Sequence, residues 1–131
     1  MKRKEMKKKI KWLPKPASRN YPAAQSYLSL MFDPFTVEKY IKQLQCQKIS
    51  YFKAKDIFRA SKLSLLGISN SHIEKNYKKI KNGEPLSPIL LMRDGKDRMV
   101  IVADGYHRMC AVYHIDEDIL IPCQIGDLMK A

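Results

Sequence analysis

Apolar positions in the first half of the chain recur at helical intervals, while those in the second half gather into short runs. Ala24, Tyr27, Leu28, Met31 and Phe32 follow the i, i+3, i+4, i+7, i+8 pattern of one helix face, with Pro22 suited to a first helical position. Val37, Tyr40, Ile41 and Leu44 repeat that spacing, with Asp33 placed to cap the helix and Pro34 to open it. Tyr27, Phe32, Phe35 and Tyr40 read as core. Ile49 to Phe52 is short enough for an edge strand, after which Ile57, Phe58 and Leu63 to Leu66 lead the chain back inside.

Beyond residue 70 the pattern changes. Ser71, with Glu74 three residues on, has the form of a capping box at the head of a helix that runs through Lys81 to Asn82-Gly83. Leu86 to Met92 and Val100 to Ala103 are apolar runs separated by Arg93 to Arg98, which carries ordinary turn chemistry. A short apolar helix, Met109 to Tyr113, and a last run, Ile119 to Ile125, complete the chain.

One junction stands out as candidate chemistry. Asp104-Gly105-Tyr106-His107-Arg108 lies where a strand gives way to a helix. Glycine lets a backbone turn sharply, and the first amides of the next helix have no partner within it. Those amides and the helix dipole favour an anion, to which His107 and Arg108 would add donors and positive charge. The plainer reading is a surface turn. Ser69, Asn70, Ser71 and His72, with Lys75, form a second polar helix start; it reads either as a simple cap or as a further phosphate contact. Lys78, Lys79 and Lys81 read as a solvated face.

These pieces in order resemble the ParB/sulfiredoxin-like superfamily. The matching stretches are SPILLM, IVADGYHRMCAVY and ILIPCQI, within Ile73 to Ile125. The resemblance implies an α/β fold, a single small domain with a mixed sheet of about four strands. It also implies a nucleotide site at the Asp104 to Arg108 box, with further contacts from the helix starting at Ser71. ATP, ADP or CTP would be the cofactor, and Asp104 beside the turn would hold magnesium or a hydroxyl. The departures are as informative. Sulfiredoxin attacks with a cysteine where this chain has Tyr106, and a phenol cannot replace a thiolate there. No helix-turn-helix segment follows the closing strand, so operator recognition of the ParB kind has no module. The superfamily also includes a free-serine kinase, which shows that the scaffold can position a nucleotide for phosphoryl transfer.

Charge adds an alternative. The chain of 131 residues carries a net charge of +12, of which residues 1–20 hold nine Lys or Arg against the single acid Glu5. That stretch reads as a basic flexible tail before a domain at 21–131, either merely solvated or gripping phosphate backbones through counterion release. Trp12 gives it one patch able to dock on the body or stack on a base. Two functions follow: binding of a nucleotide or phosphorylated small molecule, with phosphoryl transfer or NTP hydrolysis as its enzymatic extension, or a nucleic-acid-associated module using the tail. The sequence has no long apolar run and no secretory signal, which points to a cytoplasmic protein without membrane attachment. Cys46, Cys110 and Cys123 form no CxxC pair and read as small buried residues. The histidines show no zinc-ligand spacing, and Asp116-Glu117-Asp118 reads as a surface loop. Oligomeric state is not legible.

Overall fold

A computed structural model describes residues 2–67 and 69–129. Three helices come first: α1 (Arg3–Lys9), α2 (Asn20–Leu28) and α3 (Pro34–Gln45). They are followed by β1 (Ser50–Lys53), α4 (Ala54–Ser61), α5 (Ser71–Lys81), β2 (Ile89–Asp94), β3 (Met99–Asp104), α6 (Tyr106–Ile115) and β4 (Leu120–Asp127). The strands form one mixed sheet in the order β1-β4-β2-β3. β4 runs parallel to β2, and the β1/β4 and β2/β3 pairs are antiparallel. The chain is thus a small α/β protein with six helices and a four-strand mixed sheet among its described residues.

The inner strand β2 explains why its sequence is continuously apolar. Successive strand residues face opposite sides, and here both sides are covered. Ile89 and Leu91 pack with Ile57, Ile80, Met109 and Val112 on one face, whereas Leu90 and Met92 pack with Ala24, Leu28, Val37 and Leu44 of α2 and α3 on the other. Each of these four β2 side chains is at most 1% exposed, a burial worth about 1.5–3 kcal/mol per large apolar side chain. Asp33 caps α3 as its sequence foretells, accepting from the Thr36 amide at 3.0 Å.

Several sequence expectations need correction. Tyr27, Met31 and Phe35 are 43%, 45% and 67% exposed, because only the Ala24, Leu28, Val37, Tyr40, Leu44 side of α2 and α3 meets the sheet. Leu63 and Leu65 are likewise exposed, and of that run Leu66 alone packs against the core. Pro22 is the third residue of α2, since the helix starts at Asn20. The cap of α5 is Asn70, whose side chain accepts from the His72 amide at 3.0 Å, so Ser71 is the first helical residue. Cys110 and Cys123 are buried but Cys46 is exposed.

The basic segment is folded back on the body. Met6 is buried on α1, and Lys7 Nζ lies 2.7 Å from Asp116 Oδ2. Beyond α1 the backbone clasps Leu86 from both sides: Leu86 N donates to Lys11 O and Leu13 N donates to Leu86 O, each at 2.8 Å. Trp12 packs on the core there, so the apolar residues inside the charge run, Met6, Ile10 and Trp12, give the segment its anchor. Lys9 Nζ adds a contact to Lys81 O at 3.4 Å, while Lys4 and Lys8 are exposed.

Candidate functional site: a basic cleft at the head of α6

The β3-to-α6 junction is shaped first by packing. Gly105 has φ of +110°, and a Cβ there would lie 2.3 Å from Ile89 Cγ2 and 2.8 Å from Ile89 Cβ. The position therefore demands glycine twice, through its backbone angle and through its contact with β2. Just before it, the β2/β3 register shifts so that Leu90 pairs with Asp104 and Leu91 with Val102, leaving Ala103 as the extra residue of a bulge. The bulge ends the strand and hands Asp104 to the turn.

Among the described residues, three amides open α6 without partners. Met109 N donates to Gly105 O at 2.9 Å, which leaves the amides of Tyr106, His107 and Arg108 with no intrahelical acceptor. No side chain caps them. They border a cleft of about 260 Å³, to which Arg19, His72, Lys75, Lys79, Ser87, Asp104 and Arg108 also contribute. The cleft holds four side-chain cations against one carboxylate.

The side chains divide into those that build the cleft and those that face it. Arg108 is a builder. Its Nε donates to Ser87 O at 3.0 Å, and its Nη2 donates to Pro88 O at 3.3 Å and to Asp104 Oδ2 at 3.2 Å. Asp104 also accepts from Asn20 Nδ2 at 2.9 Å. The Asp104 and Arg108 side chains are each 17% exposed and largely neutralise one another. Tyr106 turns away to donate its hydroxyl to Ser64 O, and so pins the loop before α5. His107 stacks on His72 with ring centroids 4.5 Å apart. Burial, then the neighbouring His72, then Arg108 push the His107 pKa below its ordinary value of 6.5, so near neutral pH it offers a neutral donor rather than the positive charge its type suggests.

Of the residues singled out in sequence, Asp104 through Arg108 and His72 meet at this cleft. Asn70 is occupied as the α5 cap, and Ser69 and Ser71 are exposed away from the cleft lining. Lys79, read as part of a solvated face, lines the cleft instead. Sequence carried a signal for it: His72, Lys75, Asn76 and Lys79 follow the i, i+3, i+4, i+7 spacing of one helix face, and that face looks onto the head of α6. Arg19 and Ser87 had no such signal, because tertiary docking alone brings them in.

Ser87 is the most telling of the missed residues. It is 4% exposed, lines the cleft, and its Oγ has no hydrogen-bond partner among the described residues. A buried hydroxyl without a partner costs about 1–3 kcal/mol, so such groups are rare unless something else satisfies them. Elsewhere the titratable groups are structural: Asp118 pairs with Lys55 at 2.7 Å, and burial raises the pKa of the Cys110 and Cys123 thiols. No group of three or more His, Cys, Asp or Glu gathers among the described residues. No helix among them is long and apolar enough to cross a membrane. Comparison with protein-family models, curated proteins and solved structures finds no match to this chain.

Proposed function

We propose that this protein binds a phosphate-bearing small ligand at the head of α6, in the manner its resemblance to the ParB/sulfiredoxin-like superfamily suggests. The carrying observation is the combination of three unpartnered amides with the buried, unpartnered hydroxyl of Ser87 in one cleft rimmed by Arg19, Lys75 and Lys79. Amides at a helix start and mobile cations at the rim suit an anion whose oxygens accept several hydrogen bonds at once. Arg108 serves here as a positioning residue: it ties the Ser87 and Pro88 carbonyls and Asp104 to the first turn of α6.

Binding is proposed ahead of phosphoryl transfer for a chemical reason. Asp104 is the one carboxylate lining the cleft among the described residues, and it already accepts from Asn20 and Arg108, so none of them offers a free carboxylate base to a ligand. A nucleotide would place its phosphates against α6, and an accompanying magnesium ion would draw most of its ligands from phosphate oxygens and water. Calorimetric titration of inorganic phosphate into the full chain tests the reading. Heat of binding should appear with the native protein and fall at least tenfold in affinity with Lys75→Ala and Lys79→Ala combined, both on the α5 face that lines the cleft. Absence of binding, or equal affinity in the double variant, contradicts it.

A further inference from the structure

The geometry points to a phosphate monoester of small size as the ligand class, in preference to a phosphodiester backbone; this rests on the anion-binding reading above. The first observation is depth. Ser87 Oγ is buried and unpartnered, and the Arg108 guanidinium holds the Ser87 carbonyl against the first turn of α6. An anion that satisfies Ser87 must enter the cleft rather than lie across its mouth. A terminal phosphate presents three non-bridging oxygens and one ester arm, so it can face the amides, Ser87 and the rim cations while its single arm leaves through the mouth. A diester has two arms and two non-bridging oxygens. One arm would have to be buried beside Ser87 or Asp104.

The second observation is charge. Arg108 is balanced by Asp104, and His107 is held neutral, which leaves Arg19, Lys75 and Lys79 as the cations of the lining uncommitted among the described residues. That surplus fits a monoester, which carries about −1.5 to −2 near neutral pH because its second pKa is about 6, better than the single charge of a diester. The third is size. Clefts that bury a drug-sized ligand span roughly 300–1,000 Å³, and this one is about 260 Å³. It has room for the phosphate and a compact body of sugar or amino-acid dimensions, not for a whole nucleoside triphosphate.

The test compares inorganic phosphate, sulfate, glycerol 3-phosphate, dimethyl phosphate, ATP and a single-stranded oligonucleotide by calorimetry against the full chain at one ionic strength. Glycerol 3-phosphate should bind at least tenfold more tightly than dimethyl phosphate, and at least as tightly as ATP. Ser87→Ala should weaken the monoester about tenfold while leaving the far-ultraviolet spectrum native and the melting temperature of the ligand-free protein at or above native, since it removes an unpartnered buried hydroxyl. Ser87→Thr, which restores the hydroxyl, should recover part of the loss. Dimethyl phosphate or the oligonucleotide binding as tightly as glycerol 3-phosphate overturns the ligand class while leaving anion binding standing. A Ser87→Ala affinity equal to native does the same. If neither phosphate nor sulfate binds, the anion-binding reading itself fails.

Discussion

Gly105→Ala isolates the geometry on which the cleft depends. The added methyl would sit 2.3 Å from Ile89 Cγ2, 2.8 Å from Ile89 Cβ and 3.0 Å from Arg108 Nη2, at a φ of +110°. A left-handed backbone costs an L-residue about 1–2 kcal/mol, and forcing a methyl into a packed core costs about 1–3 kcal/mol. Together they predict a loss of roughly 2–5 kcal/mol, a large share of the ~5–15 kcal/mol that holds a typical domain. For a chain of this size each kcal/mol lowers Tm by about 3–4 °C. Urea unfolding followed by circular dichroism reads the loss directly. Ile89→Ala alone should cost about 2–5 kcal/mol through its cavity. In the double variant the Cγ2 contact is gone, so the combined loss should fall short of the sum by about 1 kcal/mol or more. A Gly105→Ala protein within about 0.5 kcal/mol of native, or strict additivity with Ile89→Ala, would refute the reasoning.

Arg108→Ala should destabilise by roughly 3 kcal/mol, because it removes bonds to two carbonyls and leaves Asp104 without its cation; Arg108→Lys should recover little, since an ammonium cannot reproduce the fork, and native-like urea midpoints in both would contradict this. Arg19→Ala should weaken phosphate several-fold without unfolding, and removing residues 2–19 should lower both Tm and phosphate affinity, because that segment carries Met6, Trp12 and Arg19; undiminished binding by the shortened chain would separate the segment from the site. Since the folded His107 pKa lies below 6.5, the unfolded chain binds the proton more readily; stability is full above that pH and is lost as pH falls towards the lowered value. His107→Gln should flatten that slope in urea unfolding between about pH 5 and 7.5, and an unchanged slope would remove His107 as its source.

What the chain revealed in advance followed from local chemistry. The order of α2, α3, α5, the strands and α6 was readable because β2 is continuously apolar, α2 and α3 carry helical spacing, and Asp33-Pro34 and the Asp94-Gly95 turn mark their boundaries; α1 and α4 were not. The junction of Asp104 to Arg108 was also visible, since glycine between a strand and a helix is a local signature. The roles of its residues were not. Arg108 and Tyr106 spend their polar groups on Ser87, Pro88 and Ser64, partners 20 to 42 residues away in sequence. Likewise, the charge run of residues 1–20 concealed Met6 and Trp12, whose burial depends on a surface made by α5, α6 and Leu86. Exposure of Phe35 and Leu65 was hidden for the same reason: an apolar residue is visible in the sequence, but whether the sheet or a helix reaches it is decided by tertiary packing.

The most direct measurement of the central claim is a titration of inorganic phosphate into the isotopically labelled full chain, followed by amide nitrogen–proton correlation spectra. Hydrogen bonds from the head of α6 to an anion predict that the Tyr106, His107 and Arg108 amide protons move downfield together, saturably, with Ser87 and the α5 face at Lys75 and Lys79 shifting at the same midpoint. Shifts confined to the exposed lysines of α1, or rising without saturation while the three amides stay in place, would contradict it.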